Sequence, residues 1–385
     1  MANVKKRLIS VEPRILVVSF GPIGTASNGY AIRVLNSVNI LREKAIVNSI
    51  EFISDIHETA VPSIGRRSYA GKNHLTQALF IILGSMKSMK DIRQSEVVVI
   101  EGSFFLPFAI ISKVMKKKVI FDSHGMVASI AKKQRLGIGS YFERGVIGAL
   151  LDKLSSIFSD MTFITTNEEK SFAHTQLNIA LDKLFVIPNA LDRAHIEKTS
   201  NIELFSLRKQ LGISPLDVMA LFVGDLRSVQ NRSTVEFIEG HLEYVPTNVK
   251  IVIVGKGRED YHAPHGRITY VGYVKNVSAY YEAADVFIAP MITGTGIKTK
   301  IIEAMAHGIP VIATDVAMEG IHSDECRAII TTTPSTFFVA LQRFSENHRG
   351  GTKDADMILL YEKYYSFDAL KCQLLPAVDR LLQHR

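Results

Sequence analysis

Gly294, Gly296, Lys298, Lys300 and Glu303 fall within ten positions of one another. The run Thr293-Gly294-Thr295-Gly296 supplies permissive backbone where a helix must begin. Ile297, Ile301, Ile302 and Met305 then follow with helical spacing. Gly308 suits a C-cap and Pro310 cannot continue the helix. A flexible loop opening a helix N-terminus points bare N–H groups at an anion, and the two lysines add charge there. Glu303, one turn further on, can accept two hydroxyl hydrogen bonds, as from a ribose. A Gly-x-Gly loop alone reads as a tight turn. Loop, lysines, glutamate and the following Gly308-Ile309-Pro310-Val311 together favour a nucleoside-diphosphate site. His124 is the second candidate. It sits in a polar loop after the apolar run Val119-Ile120-Phe121, and ligands of open α/β sheets bind beyond the carboxyl ends of strands.

These residues need a frame, and the chain alternates short apolar runs with helix-length segments. Arg14–Phe20, 97–101, 118–122, 161–165 and 185–188 read as strands of a first parallel sheet, with a helix over 30–44. The pattern restarts after Asn201 with strands at 218–224, 249–255, 268–272, 285–289, 311–314 and 328–331. The expected division is a first Rossmann-like domain over 1–195 and a second over 196–360, joined by a linker near 192–214. A helical tail from Tyr361 completes the chain. A length of 385 residues suits two such domains, and 47% hydrophobic content supplies two cores. The two cysteines, Cys326 and Cys372, suggest no disulfide framework. Met1 to Arg14 is polar and no apolar run reaches membrane-spanning length, so no leader or span is expected and the compartment is read as cytoplasmic. Residues 1–190 carry 24 Lys and Arg against 15 Asp and Glu, a surplus of nine. The remainder is slightly acidic, 21 against 23. A basic half suits an anionic membrane face or a phosphorylated acceptor; no nucleic-acid signature accompanies it.

The segment 290–314 resembles the donor-site signature of family 4 glycosyltransferases, whose fold is GT-B. The family pattern is a glutamate, seven residues, then a second glutamate leading into Ala-Met-Ala and Gly-x-Pro-Val. Glu303 matches the second glutamate; Thr295 stands at the first, where the family's carboxylate contacts the transferred hexose. The resemblance spans nearly the whole chain, strongest over 224–320 and weakest over 49–94. By resemblance, His124 faces the donor sugar, and Leu221 to Gly224 opens the nucleotide domain. The family's diphosphate-clamping arginine and lysine are here Asp225 and Asn231, leaving Arg227, Lys298 and Lys300 to supply charge. Gly255 and the segment Val271-Gly272-Tyr273 correspond to positions flanking base and ribose. Gly24, Thr25, Asn28 and Gly29 approach the diphosphate from the other domain. The terminal helix 361–385 is expected to pack back on the first domain.

The resemblance implies a retaining, metal-independent hexosyltransferase acting from a UDP- or GDP-sugar. The acceptor would be a hydroxyl on a glycan, lipid-linked or other molecule in surface polysaccharide or glycoconjugate assembly. His124, Lys298 and Glu303 carry the chemistry. Gly29, Gly224, Arg227, Gly255, Val271, Gly272, Tyr273, Thr293, Gly294, Thr295, Gly296, Ile297 and Lys300 shape the donor site. No metal site is expected, because the twelve histidines are scattered without ligand spacing. A nucleotide-sugar epimerase and a non-catalytic nucleotide-sugar binder are the alternatives. No cofactor beyond the donor is implied.

Overall fold

The computed structural model describes residues 12–20, 29–53, 65–68, 74–126, 142–193, 196, 199–258, 266–294, 296–348 and 353–383. The expectations placed on Gly24, Thr25, Asn28 and Thr295 lie outside them. The first sheet is built from β1 (Arg14–Phe20), β2 (Ile46–Ile53), β3 (Gly65–Ser68), β4 (Val97–Glu101), β5 (Lys118–Asp122), β6 (Met161–Ile164) and β7 (Leu184–Val186). Its order is β3-β2-β1-β4-β5-β6-β7, all parallel. The second holds β8 (Val218–Val223), β9 (Val249–Val254), β10 (Ile268–Gly272), β11 (Val286–Ala289), β12 (Val311–Thr314) and β13 (Ile329–Thr332). Its order is β10-β9-β8-β11-β12-β13, again parallel. Apart from β2 and β3, the strands read as mostly apolar runs because helices cover both faces. Ile15 to Val18, for example, are each 0% exposed.

Strand order reverses between β1 and β4, and again between β8 and β11. The crevices at such reversals are where α/β sheets take ligands. Helices Gly29–Leu41 and Phe367–Gln383 pack on one face of the first sheet. Helices His74–Lys87, Met89–Gln94, Leu106–Val114 and Gly148–Ile157 form the layer on the other. In the second domain Ser278–Ala283, Thr299–Ala306 and Ala355–Tyr364 lie on one side, and Val229–Glu239 and Phe337–Asn347 on the opposite side. The chain crosses between domains twice at one place. Leu191 bridges Ser366, its N–H donates to Tyr365 O at 3.0 Å, and its carbonyl accepts from Tyr361 Oη at 2.7 Å.

Three local readings change. β2 was not anticipated because Ser49 and Glu51 interrupt its apolar run although both are buried, and β3 was not because its sequence, Gly65-Arg66-Arg67-Ser68, carries no apolar signal. The segment read as linker contains helix Asn201–Gln210, started by a Ser200/Glu203 capping box, and none of its residues is fully buried to mark it. The tail is two helices, Ala355–Tyr364 and Phe367–Gln383, the second burying Leu370, Leu374, Val378 and Leu381 in the first domain's core.

Candidate active site

The floor of the second domain's crevice is made of glycine. β8 and β9 lead into Gly224 and Gly255, and β10 ends on Gly272. The N–H of Gly224 donates to Val254 O and that of Gly255 to Gly272 O, both at 2.9 Å. Gly255 has φ +146°, and a Cβ there would lie 1.9 Å from Gly224 O. A Cβ on Gly224 would meet Asn231 Cγ at 2.7 Å and Lys300 Nζ at 2.9 Å. Backbone, one amide and one ammonium therefore fill this corner. Lys300 Nζ donates to Asn231 Oδ1 and stands 4.4 Å from the ring centroid of Phe222. Burial pulls its pKa down to about 7; Glu303 opposes the shift and Lys298 adds to it.

Helix Thr299–Ala306 starts with Lys298 at the N-cap in extended conformation, and the Lys298 side chain makes no capping hydrogen bond to its first N–H groups. Lys298 is 7% exposed; its ammonium donates to Gly296 O at 2.5 Å and lies 3.9 Å from Glu319 Oε2. Gly294 and Gly296 both have positive φ, so the loop turns as only glycine does readily. Thr293 Oγ1 is buried with no hydrogen-bond partner among the described residues. One turn on, Glu303 Oε2 accepts from Tyr281 Oη at 2.7 Å. Burial raises the Glu303 pKa, while Tyr281 and Lys300 pull it down. Glu303, Tyr281 and Ser278 face Leu35 and Asn36 of the first domain across a cavity of about 370 Å³.

The first domain contributes a buried polar cluster. Glu101 and Asp122 are opposite one another where β4 and β5 end. Arg33 clamps Asp122, its Nε donating to Oδ1 at 3.0 Å and Oδ2 at 2.9 Å; both side chains are 2% exposed. Arg33 Nη1 also donates to Ile187 O at 2.7 Å. His124, at φ +51°, sets Nε2 2.5 Å from Glu101 Oε2. Burial first, and Asp122 second, raise the Glu101 pKa, and His124 opposes them. The ring of Tyr30 lies 4.4 Å from that of His124, and its hydroxyl accepts from Phe20 N–H and donates to Glu101 O. Glu101, Asp122 and His124 hold ligand-type atoms within 4.8 Å of one another. Arg33 already supplies the counter-charge to Asp122, so the trio is read as an ion-pair cluster.

The two halves meet at helix N-termini. A Cβ on Gly29, the first residue of its helix, would lie 2.7 Å from Thr299 Oγ1, the first residue of the other helix. Tyr30, which backs His124, is the next residue, so the histidine cluster and the lysine loop share one cleft. A Cβ on Gly296 would meet Thr165 Oγ1 at 3.3 Å, and Asn189 Nδ2 donates to Ile297 O at 3.5 Å.

Gly29, Gly224, Gly255, Gly272, Gly294, Gly296, Ile297, Lys298, Lys300 and Glu303 therefore gather around the cleft or its floor. Arg227 is turned onto Asp225, Nε donating to both carboxylate oxygens at 2.9 and 3.1 Å. Val271 lies in β10, and Tyr273 beyond its end is 63% exposed, with Lys256 Nζ 4.6 Å from its ring centroid. Glu101, Tyr30 and Tyr281 escaped the sequence reading. Glu101 carried one signal, a carboxylate closing an otherwise apolar strand.

Residues 217–347, about a third of the chain, match the family model described as Glycosyl transferases group 1. Over 113 residues the chain is 37% identical to a Bacillus subtilis (strain 168) protein assigned as the teichuronic acid biosynthesis glycosyltransferase TuaC. That match covers 29% of this chain and 28% of the relative's length. Sucrose-phosphate synthase from Thermosynechococcus elongatus superposes with a TM-score of 0.75 at 16% identity, over 97% of this chain and 100% of that one. Anabaena HepE, solved in complex with UDP, gives 0.70 at 15% identity, over 95% and 100%. At these identities the likeness is one of fold, and the fold is GT-B.

Proposed function

We propose that the protein is a glycosyltransferase that moves a hexose-type sugar from a nucleoside diphosphate to an acceptor hydroxyl, with retention and without a metal. The observation that carries this reading is the meeting of two helix N-termini, at Gly29 and Thr299, beside Lys298 and Lys300. Paired N-termini and two cations suit a diphosphate. The asparagine at the position of the family's clamping lysine also fits, because Asn231 holds Lys300 Nζ beside Gly224 and so restores the charge. HepE was solved with UDP, which makes a uridine or similar diphosphate the first donor to try.

In this reading Glu303 accepts the ribose hydroxyls and the glycines closing β8 to β10 admit the nucleoside against bare backbone. His124 orients the sugar. Lys298, Lys300 and the loop amides stabilise charge on the departing diphosphate, as preorganised donors do. The bond from sugar to diphosphate breaks while the acceptor oxygen bonds on the same face, its proton passing to the leaving phosphate. No covalent nucleophile is assigned. The matched teichuronic acid biosynthesis protein supports polysaccharide assembly as the setting.

A thermal-shift panel of UDP-, GDP- and ADP-sugars, with and without magnesium, tests the reading. Stabilisation by one class, independent of magnesium and lost in Glu303→Ala, is expected. Stabilisation by none, in a protein shown to be folded, overturns it.

A further inference from the structure

Helix His74–Lys87 wears its amphipathic pattern inside out. Toward the sheet it presents Ile81, Gly84 and Ser85, all buried. Ser85 Oγ returns its hydrogen bond to Ile82 O at 2.7 Å, so the small inner residue is satisfied. Outward it presents Leu79, Ile82, Leu83 and Met86, at the i, i+3, i+4, i+7 spacing of an apolar stripe, and these are 44–58% exposed. Helix Gly148–Ile157 does the same, burying Gly148, Asp152, Ser155 and Ser156 while exposing Leu150 and Ile157. Helix Leu106–Val114, packed between them, exposes Ile110 and Val114. Of the 23 large apolar residues exposed among the described residues, twelve lie between Leu79 and Ile157. Exposed apolar side chains scattered singly are ordinary. A stripe repeated across adjacent helices marks an interaction surface.

The charge around this surface selects its partner. Lys87, Lys90 and Lys116 are exposed and Lys117 and Lys153 partly so, in the half of the chain with a surplus of nine positive charges. We propose that this face docks on an anionic lipid bilayer, its leucines and methionine entering the headgroup boundary and its lysines meeting lipid phosphates. Among the described residues no helix is long and apolar enough to cross a membrane, so the contact is peripheral. The face reaches the cleft. Phe104, 48% exposed, follows Glu101 by three residues and lies edge-on to Phe20 at the end of β1. Resting on the transferase reading above, this placement makes the acceptor a hydroxyl borne on a lipid-anchored molecule, offered at the bilayer surface beside His124.

The test is flotation of the full chain with phosphatidylcholine vesicles, with and without phosphatidylglycerol. Leu83→Ser/Met86→Ser removes part of the stripe and Lys87→Glu/Lys90→Glu reverses its charge. Phe205→Ser alters an exposed apolar residue of the second domain as a control. The expected result is partition into anionic vesicles, reduced on the order of tenfold or more by either face variant and unchanged by the control. Equal partition into neutral vesicles, or face variants that float like the parent, overturns the proposal. So does a parent oligomer that the face variants dissociate while flotation is unchanged, which would make the surface a contact between copies. Donor thermal shifts on the same variants keep the two readings apart. Lost flotation with retained donor binding isolates the face. Flotation without any donor binding in the parent leaves the lipid surface standing and fails the transferase reading.

Discussion

Glu101 Oε2 and His124 Nε2 stand 2.5 Å apart at the ends of two neighbouring strands, with the carboxylate 1% exposed and the ring packed on Tyr30. A carboxylate on one ring nitrogen fixes the orientation of the imidazole and which nitrogen carries the proton. Glu101 is thus a positioning residue for His124. Glu101→Gln keeps the shape, loses the charge, and is expected to lower kcat by roughly tenfold to a hundredfold, less than the roughly 10²–10⁴ that a general acid or base itself contributes. Nucleotide affinity should hold, because Glu101 lies across the cleft from the lysine loop. Steady-state kinetics with donor titration separates the two terms. A fall in donor affinity equal to the fall in kcat would mean a structural role only.

Lys300 gives a pH dependence whose sign follows from burial. Its pKa is about 7 in the folded chain against an ordinary 10.5. Between those values the unfolded chain binds a proton that the folded chain has released, so stability rises with pH across the window. The cost of the buried charge is fully present below about pH 7 and is relieved as pH climbs. Chemical denaturation from pH 7 to 10 should show this rise in the parent and a smaller one in Lys300→Met. A bound diphosphate favours the charged amine, so donor affinity should weaken above neutral pH, and less so in the variant. Parallel curves for parent and variant would remove Lys300 from the site.

Lys298→Ala should weaken donor binding on the order of tenfold to a hundredfold, since a charge-assisted hydrogen bond contributes roughly 1.5–3 kcal/mol. Its ammonium also ties Gly296 O, so the variant loosens the loop as well as removing charge. Isothermal titration with the nucleoside diphosphate alone reads the effect. An unchanged Kd would place the diphosphate elsewhere.

The strands that hold the site could be read from the chain because burial on both faces demands unbroken apolar runs, as in Ile15 to Val18. β2 was hidden because Ser49 Oγ donates to Glu51 Oε1 inside the fold, a local polar pair that looks like surface. The loop from Thr293 to Lys300 was legible because glycine, charge and a helix start are all local signals. Its partner Gly29 is 270 positions from Thr299, and nothing in either segment announces the contact. Tyr281 looks like any helical core aromatic until its hydroxyl is seen on Glu303. Helix His74–Lys87 misleads in the opposite way, because its apolar stripe is the outer face.

Two glycines with positive φ should respond differently to the same change. Gly212→Ala, at φ +69° with no atom within 4 Å of the new Cβ, carries only the left-handed strain of about 1–2 kcal/mol. Gly255→Ala adds a Cβ 1.9 Å from the backbone oxygen of Gly224, which must move the end of β8 and with it the Lys300 corner. Urea titration with donor binding on both variants tests this. Gly212→Ala should bind like the parent, whereas Gly255→Ala should lose more stability and its donor affinity.

The Arg33–Asp122 pair ties helix Gly29–Leu41 to β5, and through Ile187 O to the chain leaving β7. Both partners are almost completely enclosed, so removing one strands the other's charge away from water. Asp122→Asn or Arg33→Met alone should cost about 3–5 kcal/mol. Replacing both with apolar residues, Arg33→Met with Asp122→Leu, should recover much of that loss, since desolvation of the pair offsets most of its attraction. Activity should not return with stability, because Asp122 is opposite Glu101 and helps set the charge that His124 meets. Urea denaturation of the two single variants and the double closes the cycle. Additive losses would show that the pair acts as two independent contacts, and recovered turnover in the double would release Asp122 from any part in holding His124.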